Sequence, residues 1–249
     1  MRIFLFTLVL LSSLTATAQP QLRFARNENF PEQDVAEAVF RQAMRNLKID
    51  VLIDPLPPAR ASMLNLSGVV VGEVARIKSY GMKNPTLIRV EPGHYYLTTV
   101  VFARKDRGIK LAGPADLAQY KVAHVRAVQH SADFVKELPS VRESNNSESL
   151  FNLLEAKRVD LIITTGVDGQ RMLRQMNLAD EIEVVAELAR RDLFVYLGPG
   201  YGQWQQPISQ ELARMAASGE MAKVIAESEQ RLIEAAPRLV PAFGASASN

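Results

Sequence analysis

LPPARASMLNLSGVVVGEVARI, residues 56–77, decides how the rest of the chain is read. A Pro-Pro step (Pro57, Pro58) is followed by Arg60, and residues 61–66 form a short helix-like run that closes on Gly68. A β-branched apolar run, 69–71, then leads into Gly-Glu-Val-Ala-Arg. That order predicts a helix dropping into a buried strand, with Arg76 at the strand's carboxyl end. In open α/β sheets ligands bind outside the carboxyl ends of strands, so the pattern points to a cleft beside this arginine.

Upstream, residues 22–25 (LRFA) read as a strand, and the polar stretch from Arg26 to Pro31 as either a turn or a ligand-facing loop. Pro31 starts a helix whose first turns carry Glu32, Asp34 and Glu37, as the helix dipole favours. Residues 49–53 give a second strand. Downstream, 78–85 reads as a polar loop, 87–90 as a short strand and 94–103 as a long β-rich run.

A charged, glycine-containing turn at 104–108 opens a new unit. It contains strands at 121–125, 141–143, 159–164 and 183–186. Helices fall at 131–138, 147–158 and 167–176, the second of them capped by Ser147. A strand at 192–197, helices at 208–217 and 221–235, and a frayed tail at 241–249 complete the chain. Alternating strands and helices predict two α/β lobes joined by two extended crossings.

Composition narrows the function classes. The 249 residues carry 29 Lys+Arg against 27 Asp+Glu, so nothing in the charge balance points to nucleic acid. Cysteine is absent, which excludes disulfides, thiolate metal sites and a cysteine nucleophile. His94, His124 and His130 fall in separate elements without ligand spacing, so neither a metal nor another cofactor is expected. No nucleophile elbow, zinc-protease or phosphate-loop motif is present. Met1-Arg2, the apolar run 3–11 and Ala16-Thr17-Ala18 read as a signal peptide cleaved after Ala18. Export without cysteine suits a bacterial periplasm.

Several side chains are candidates for contact with a ligand. Arg76 and Arg60 offer planar donor forks matched to a carboxylate; pairing with Glu73 or Glu91 is the structural alternative for Arg76. Phe30 and Tyr95 or Tyr96 either wall a ligand's apolar part or pack in the core. Asn27 and Glu28 lie in the first loop. Arg126 and Gln129 lie just past a strand, where a helix start could receive an anion. His130 there could cap the following helix or touch the ligand.

Four segments together resemble the bacterial extracellular solute-binding proteins of family 3. They are LRFARNENFP (22–31), LPPARA with the following SG and GEVARI (56–77), VVFARKD (100–106) and SESLFNLLEAKRVDLIIT (147–164). The resemblance implies a two-lobed, type II periplasmic-binding-protein fold, each lobe a mixed sheet flanked by helices. One lobe would comprise residues 21–101 plus 188–240 and the other 102–187, with hinges near 102–104 and 186–190. It also implies a monomer that closes on a small solute and serves an ABC-type permease or a sensor.

Amino-acid binders of the family grip the ligand carboxylate with an arginine, for which Arg76 is the nearest residue here. They hold its ammonium with an acid where this chain has Thr165, and Val71-Gly72 stands where Asp-Gly is common. The expected solute is therefore polar and anionic, held by Arg76, Arg60, Asn27, Glu28, Phe30, Tyr95, Arg126, Gln129 and Thr165. Two other classes stay open. One is an enzyme on the same fold, resembling cyclohexadienyl dehydratases, with Glu28, Glu73 or His130 as acid or base. The other is a stand-alone sensory partner.

Overall fold

The computed structural model describes residues 21–126 and 129–235. The signal peptide read at 1–18 and the tail at 241–249 lie outside the described residues, as do Ala127 and Val128.

The first lobe begins with β1 (Leu22–Asn27), α1 (Pro31–Asn46), β2 (Val51–Leu56), α2 (Pro58–Leu66) and β3 (Gly72–Ile77). β1 lies parallel between β2 and β3. The helix of the opening stretch starts three residues earlier than its apolar run suggests. Pro58 sits in the first turn, where its fixed φ suits a helix and its missing N–H costs nothing. The strand starts three residues later than the valine run. Gly68, at φ 70°, ends the helix, and the chain must still turn. Val69 is therefore left 59 % exposed, while Val70 and Val71 are buried. Gly72 then passes so close to β9 (Ile182–Leu197) that a Cβ there would lie 2.5 Å from the Tyr196 carbonyl oxygen.

α3 (Lys78–Lys83) occupies the segment read as a polar loop, and β4 (Ile88–Arg89) and β5 (Tyr95–Arg104) follow. The second lobe consists of β6 (Val122–Val125), α4 (Gln129–Val135), β7 (Val141–Ser144), α5 (Ser147–Glu155), β8 (Leu161–Thr165) and α6 (Gly166–Gln175). The two strands expected at 183–186 and 192–197 are one 16-residue strand, β9. No Gly or Pro interrupts it, and pairing with β5 holds the polar middle extended. α7 (Gln205–Ser218) and α8 (Glu220–Glu234) return to the first lobe.

The strand order is β2-β1-β3-β9-β5-β8-β6-β7, with β4 also on β9. β9 pairs with β3 at Leu193–Leu197 side of the sheet, and β5 pairs with β8 from Thr99 onward. Between them, residues 96–98 and 190–192 pair only with each other. The lobes are thus joined by a two-stranded ribbon, and just beyond it the β5–β9 register shifts at Thr99/Val100 and Val101/Phe102. Arg190 lies 3.5 Å over the Tyr96 ring on this ribbon. The sequence places the two crossings near 102–104 and 186–190; the stretch where only these two strands pair lies at 96–98 and 190–192.

Each lobe has its own core. Phe24, Phe40, Val74, Val195 and Leu212 pack together in the first, with the Phe24 and Phe40 rings edge to face at 4.7 Å. The second lobe buries both faces of its sheet. Val100, Phe102 and Ile162 enter one cluster, and Val101, Ala103, Leu161 and Ile163 the other, following strand alternation. Across the lobe boundary, α6 packs against α1 and α8, and Val167 reaches the first lobe's core.

Candidate functional site

A cavity of about 770 Å³ lies between the lobes. The first lobe contributes the loop after β1 and the start of α1, with Asn29, Phe30, Glu32 and Asp34. The second contributes the carboxyl ends of β6, β7 and β8, with Val125, Asn145, Asn146, Thr164 and Thr165. The starts of α4, α5 and α6 add His130, Ser147, Glu148 and Asp168. Residues just past parallel strands thus converge from both sides, as they do in binding clefts of α/β sheets.

The local sequence explains this placement. Asn29 adopts φ 62°, a left-handed position that asparagine tolerates, and it turns the chain from β1 into α1. Pro31 begins the helix, so Glu32 falls in its first turn facing the second lobe. Thr165 ends β8 and caps α6 by accepting from the Asp168 N–H. Asn146 caps α5, receiving the Ser149 N–H at 2.8 Å. The sequence expectation gave that role to Ser147, but its hydroxyl donates to Asp168 instead.

Glu32 is the unusual group. It is 3 % exposed, and its Oε1 has no hydrogen-bond partner. Burial pushes its pKa up to about 7, while the facing Thr165 hydroxyl pulls the other way; Asp168 raises it further and Arg171 lowers it. Asp168 is better served: Ser147 donates to it, and Arg171 reaches it at 2.6 Å. Arg171 also donates to Gln175 at 3.1 Å. Asp34 pairs with Arg26 at 2.8 Å. His130 makes a 3.1 Å contact from Nδ1 to the Thr99 hydroxyl, and burial lowers its pKa to about 4, so the ring is neutral.

Of the side chains singled out in the sequence, Phe30 and Thr165 line the cavity. Arg76 does not. Its guanidinium donates to Asn27 Oδ1 at 3.1 Å, lies 3.9 Å over the Tyr80 ring and stands 3.6 Å from Glu73. Asn27 is thereby engaged as well. Glu73 is 1 % exposed and also receives the Tyr80 hydroxyl, so it belongs to a polar cluster inside the first lobe. Burial and Glu73 push Tyr80 up to about 12. Arg60 is exposed on the first turn of α2, and Glu28 is half-buried beyond β1; neither lines the cavity.

Tyr95 is a core residue. Its ring stacks on Tyr96 at 4.9 Å, and its hydroxyl donates to Glu229 at 2.8 Å. Arg126 is exposed and pairs with Glu143 at 2.8 Å. Gln129 is the first residue of α4. Glu32, Asp168 and Arg171 were not singled out as site residues. Glu32 carried a signal, being the acid directly after the loop-ending Pro31, but a first-turn acid has an ordinary explanation in the helix dipole.

Carboxylates outnumber guanidiniums around the cavity, with Glu32, Asp34, Glu148 and Asp168 against Arg171. The expected arginine clamp for an anion is turned into the first lobe's interior. Among the described residues, no group of three or more His, Asp or Glu could hold a metal ion, and no helix is long and apolar enough to cross a membrane.

No family model matches the chain. It is 27 % identical over 190 residues to an uncharacterised protein of Shewanella oneidensis, covering 74 % of this chain and 72 % of that one. Among solved structures, it superposes on the ligand-binding core of GluR0 in complex with L-glutamate with a TM-score of 0.69 at 17 % identity, covering 87 % of this chain and 99 % of that one. A histidine kinase sensor domain similar to periplasmic binding proteins gives 0.63 at 17 % identity, over 84 % and 95 %. An amino-acid ABC transporter substrate-binding protein of Streptococcus pneumoniae bound to L-arginine gives 0.62 at 14 % identity, over 86 % and 96 %. The chain has the two-lobed, type II periplasmic-binding-protein fold of the solute-binding proteins and sensor domains of this class.

Proposed function

We propose that this protein is an exported solute-binding module that captures a small polar molecule by closing its lobes. The observation that carries the reading is the interlobe cavity of about 770 Å³, lined from both lobes at the ends of their strands. A ligand touching both walls stabilises the closed arrangement over the open one, and only that difference in affinity can drive closure. The β5–β9 ribbon supplies the bending element. The captured molecule is handed to an ABC-type permease or read by a sensor, and a monomer suffices for either role. A permease gene beside this one favours uptake; a kinase or cyclase gene favours sensing.

Small-angle scattering tests closure. A binding solute reduces the radius of gyration, and Thr165→Trp, which fills the cavity, abolishes the change. A solute that binds with unchanged affinity in the filled variant contradicts the reading.

A second reading, an enzyme on this fold, is favoured by one observation: a cavity carboxyl whose pKa is raised to about 7 is tuned for proton transfer near neutrality. Glu28 and Glu73 do not line the cavity, whereas Glu32 and the neutral His130 do, so these two would be its acid or base. Conversion of prephenate or arogenate by the purified protein decides for it.

A further inference from the structure

We propose that the interlobe cavity takes a small organic cation, an amine or guanidinium without need of a carboxylate, with Glu32 as its counter-charge. The inference rests on the capture reading and names the solute class for the same cavity. Three observations lead to it. Glu32 Oε1 is buried with no hydrogen-bond partner in a residue that lines the cavity. A carboxylate taken out of water without a partner is costly, and such groups are normally paired. Carboxylates dominate the lining among the described residues, and the one guanidinium there, Arg171, is already held by Asp168 and Gln175. The arginine that could have clamped an anion, Arg76, is bound by Asn27, Tyr80 and Glu73.

The groups around Glu32 leave the same gap from every side. Its own helix offers Asp34, paired with Arg26. α6 offers Asp168 with its attached Arg171, and β8 the neutral Thr165. From β5 comes Tyr95, which is committed to Glu229 of α8. α4 contributes the neutral His130. Among the described residues, the one cation lining the cavity, Arg171, already serves Asp168. A protonated amine or guanidinium entering the cavity supplies the missing counter-charge to the Glu32 carboxylate, with Asn145 also lining the cavity for its other N–H groups.

The test is a calorimetric and thermal-shift titration of the full exported chain, stripped by unfolding and refolding. The probes are putrescine, agmatine and choline, set against succinate, benzoate and L-glutamate. The inference expects at least one amine or guanidinium probe to bind, with Glu32→Gln weakening it tenfold or more. Its affinity should also rise between pH 6 and pH 8 in the parent, because the Glu32 proton must leave, and stay flat in Glu32→Gln. Urea unfolding of Glu32→Gln confirms that the variant is folded. Binding of carboxylate probes alone, abolished by Thr165→Trp, overturns the cation inference and leaves capture intact. Amine binding unaltered by Glu32→Gln overturns it too, as does the failure of every amine and guanidinium probe to bind.

Discussion

Glu32, in the first turn of α1, faces Thr165, the last residue of β8, across the boundary between the lobes. The two belong to different lobes, so their contact exists only while the lobes are together. This contact across the lobe boundary helps to bury the Glu32 carboxyl.

The first prediction is a pH dependence of the protein with its lobes together. Glu32 has a pKa of about 7 when buried, above that of an ordinary carboxyl, so the folded state holds a proton that the unfolded state has released. The contribution is fully present below the unfolded value and is lost as pH rises through about 7. Over the whole window the loss is on the order of 3 kcal/mol. Urea unfolding at pH 5, 6, 7 and 8 should show falling stability, and Glu32→Gln should flatten the trend. An equal slope in the variant would place the titration elsewhere.

Arg76 gives a prediction opposite to the one its position in the sequence suggests. Arg76→Ala removes the cation beside the buried Glu73 and the donor to Asn27, at a cost of about 1–3 kcal/mol in stability. Solute affinity should stay within a factor of about three, since a change below 1 kcal/mol is expected where no contact is lost. Chemical denaturation and calorimetry on the same preparation measure both.

Close packing at the β3–β9 seam predicts a sensitive glycine. Gly72→Ala would put a methyl against the Tyr196 carbonyl, where backbone rather than a flexible side chain must yield. Overpacking of this kind costs about 1–3 kcal/mol. A drop in the urea midpoint without change in the slope is the expected result.

Asn146 and Ser147 are neighbours with separable roles. Asn146→Ala removes the α5 cap and costs about 1 kcal/mol. Ser147→Ala leaves that cap in place and instead takes a donor from Asp168. Far-ultraviolet circular dichroism through a urea titration distinguishes the first. Ser147→Ala should alter solute affinity more than stability.

The fold was legible because its signals are local. Strand, loop and Pro31-led helix at the start, and the alternation of apolar strands with capped helices later, each leave a mark in the sequence. The continuity of β9 left none, because Leu188–Asp192 reads as a polar break and is held extended only by its partner strand, β5. The site was less legible. Phe30 and Thr165, singled out from their places beside strand ends, line the cavity. Arg76 lies away from the cavity, and a strand-end arginine looks the same in sequence whether it points to a cleft or, as here, onto Tyr80. Glu32 was missed because its burial depends on α6 arriving from the other lobe, a contact more than a hundred residues away in the chain.

The proposal is that a small cationic solute is held in the interlobe cavity against Glu32. The most direct measurement is a crystal structure of the protein grown with the amine or guanidinium probe that most raises its melting temperature. The account predicts density for that probe in the interlobe cavity, with a nitrogen within hydrogen-bond distance of a Glu32 carboxylate oxygen. A probe held outside the cavity, or gripped by Arg76 with Glu32 untouched, would contradict it.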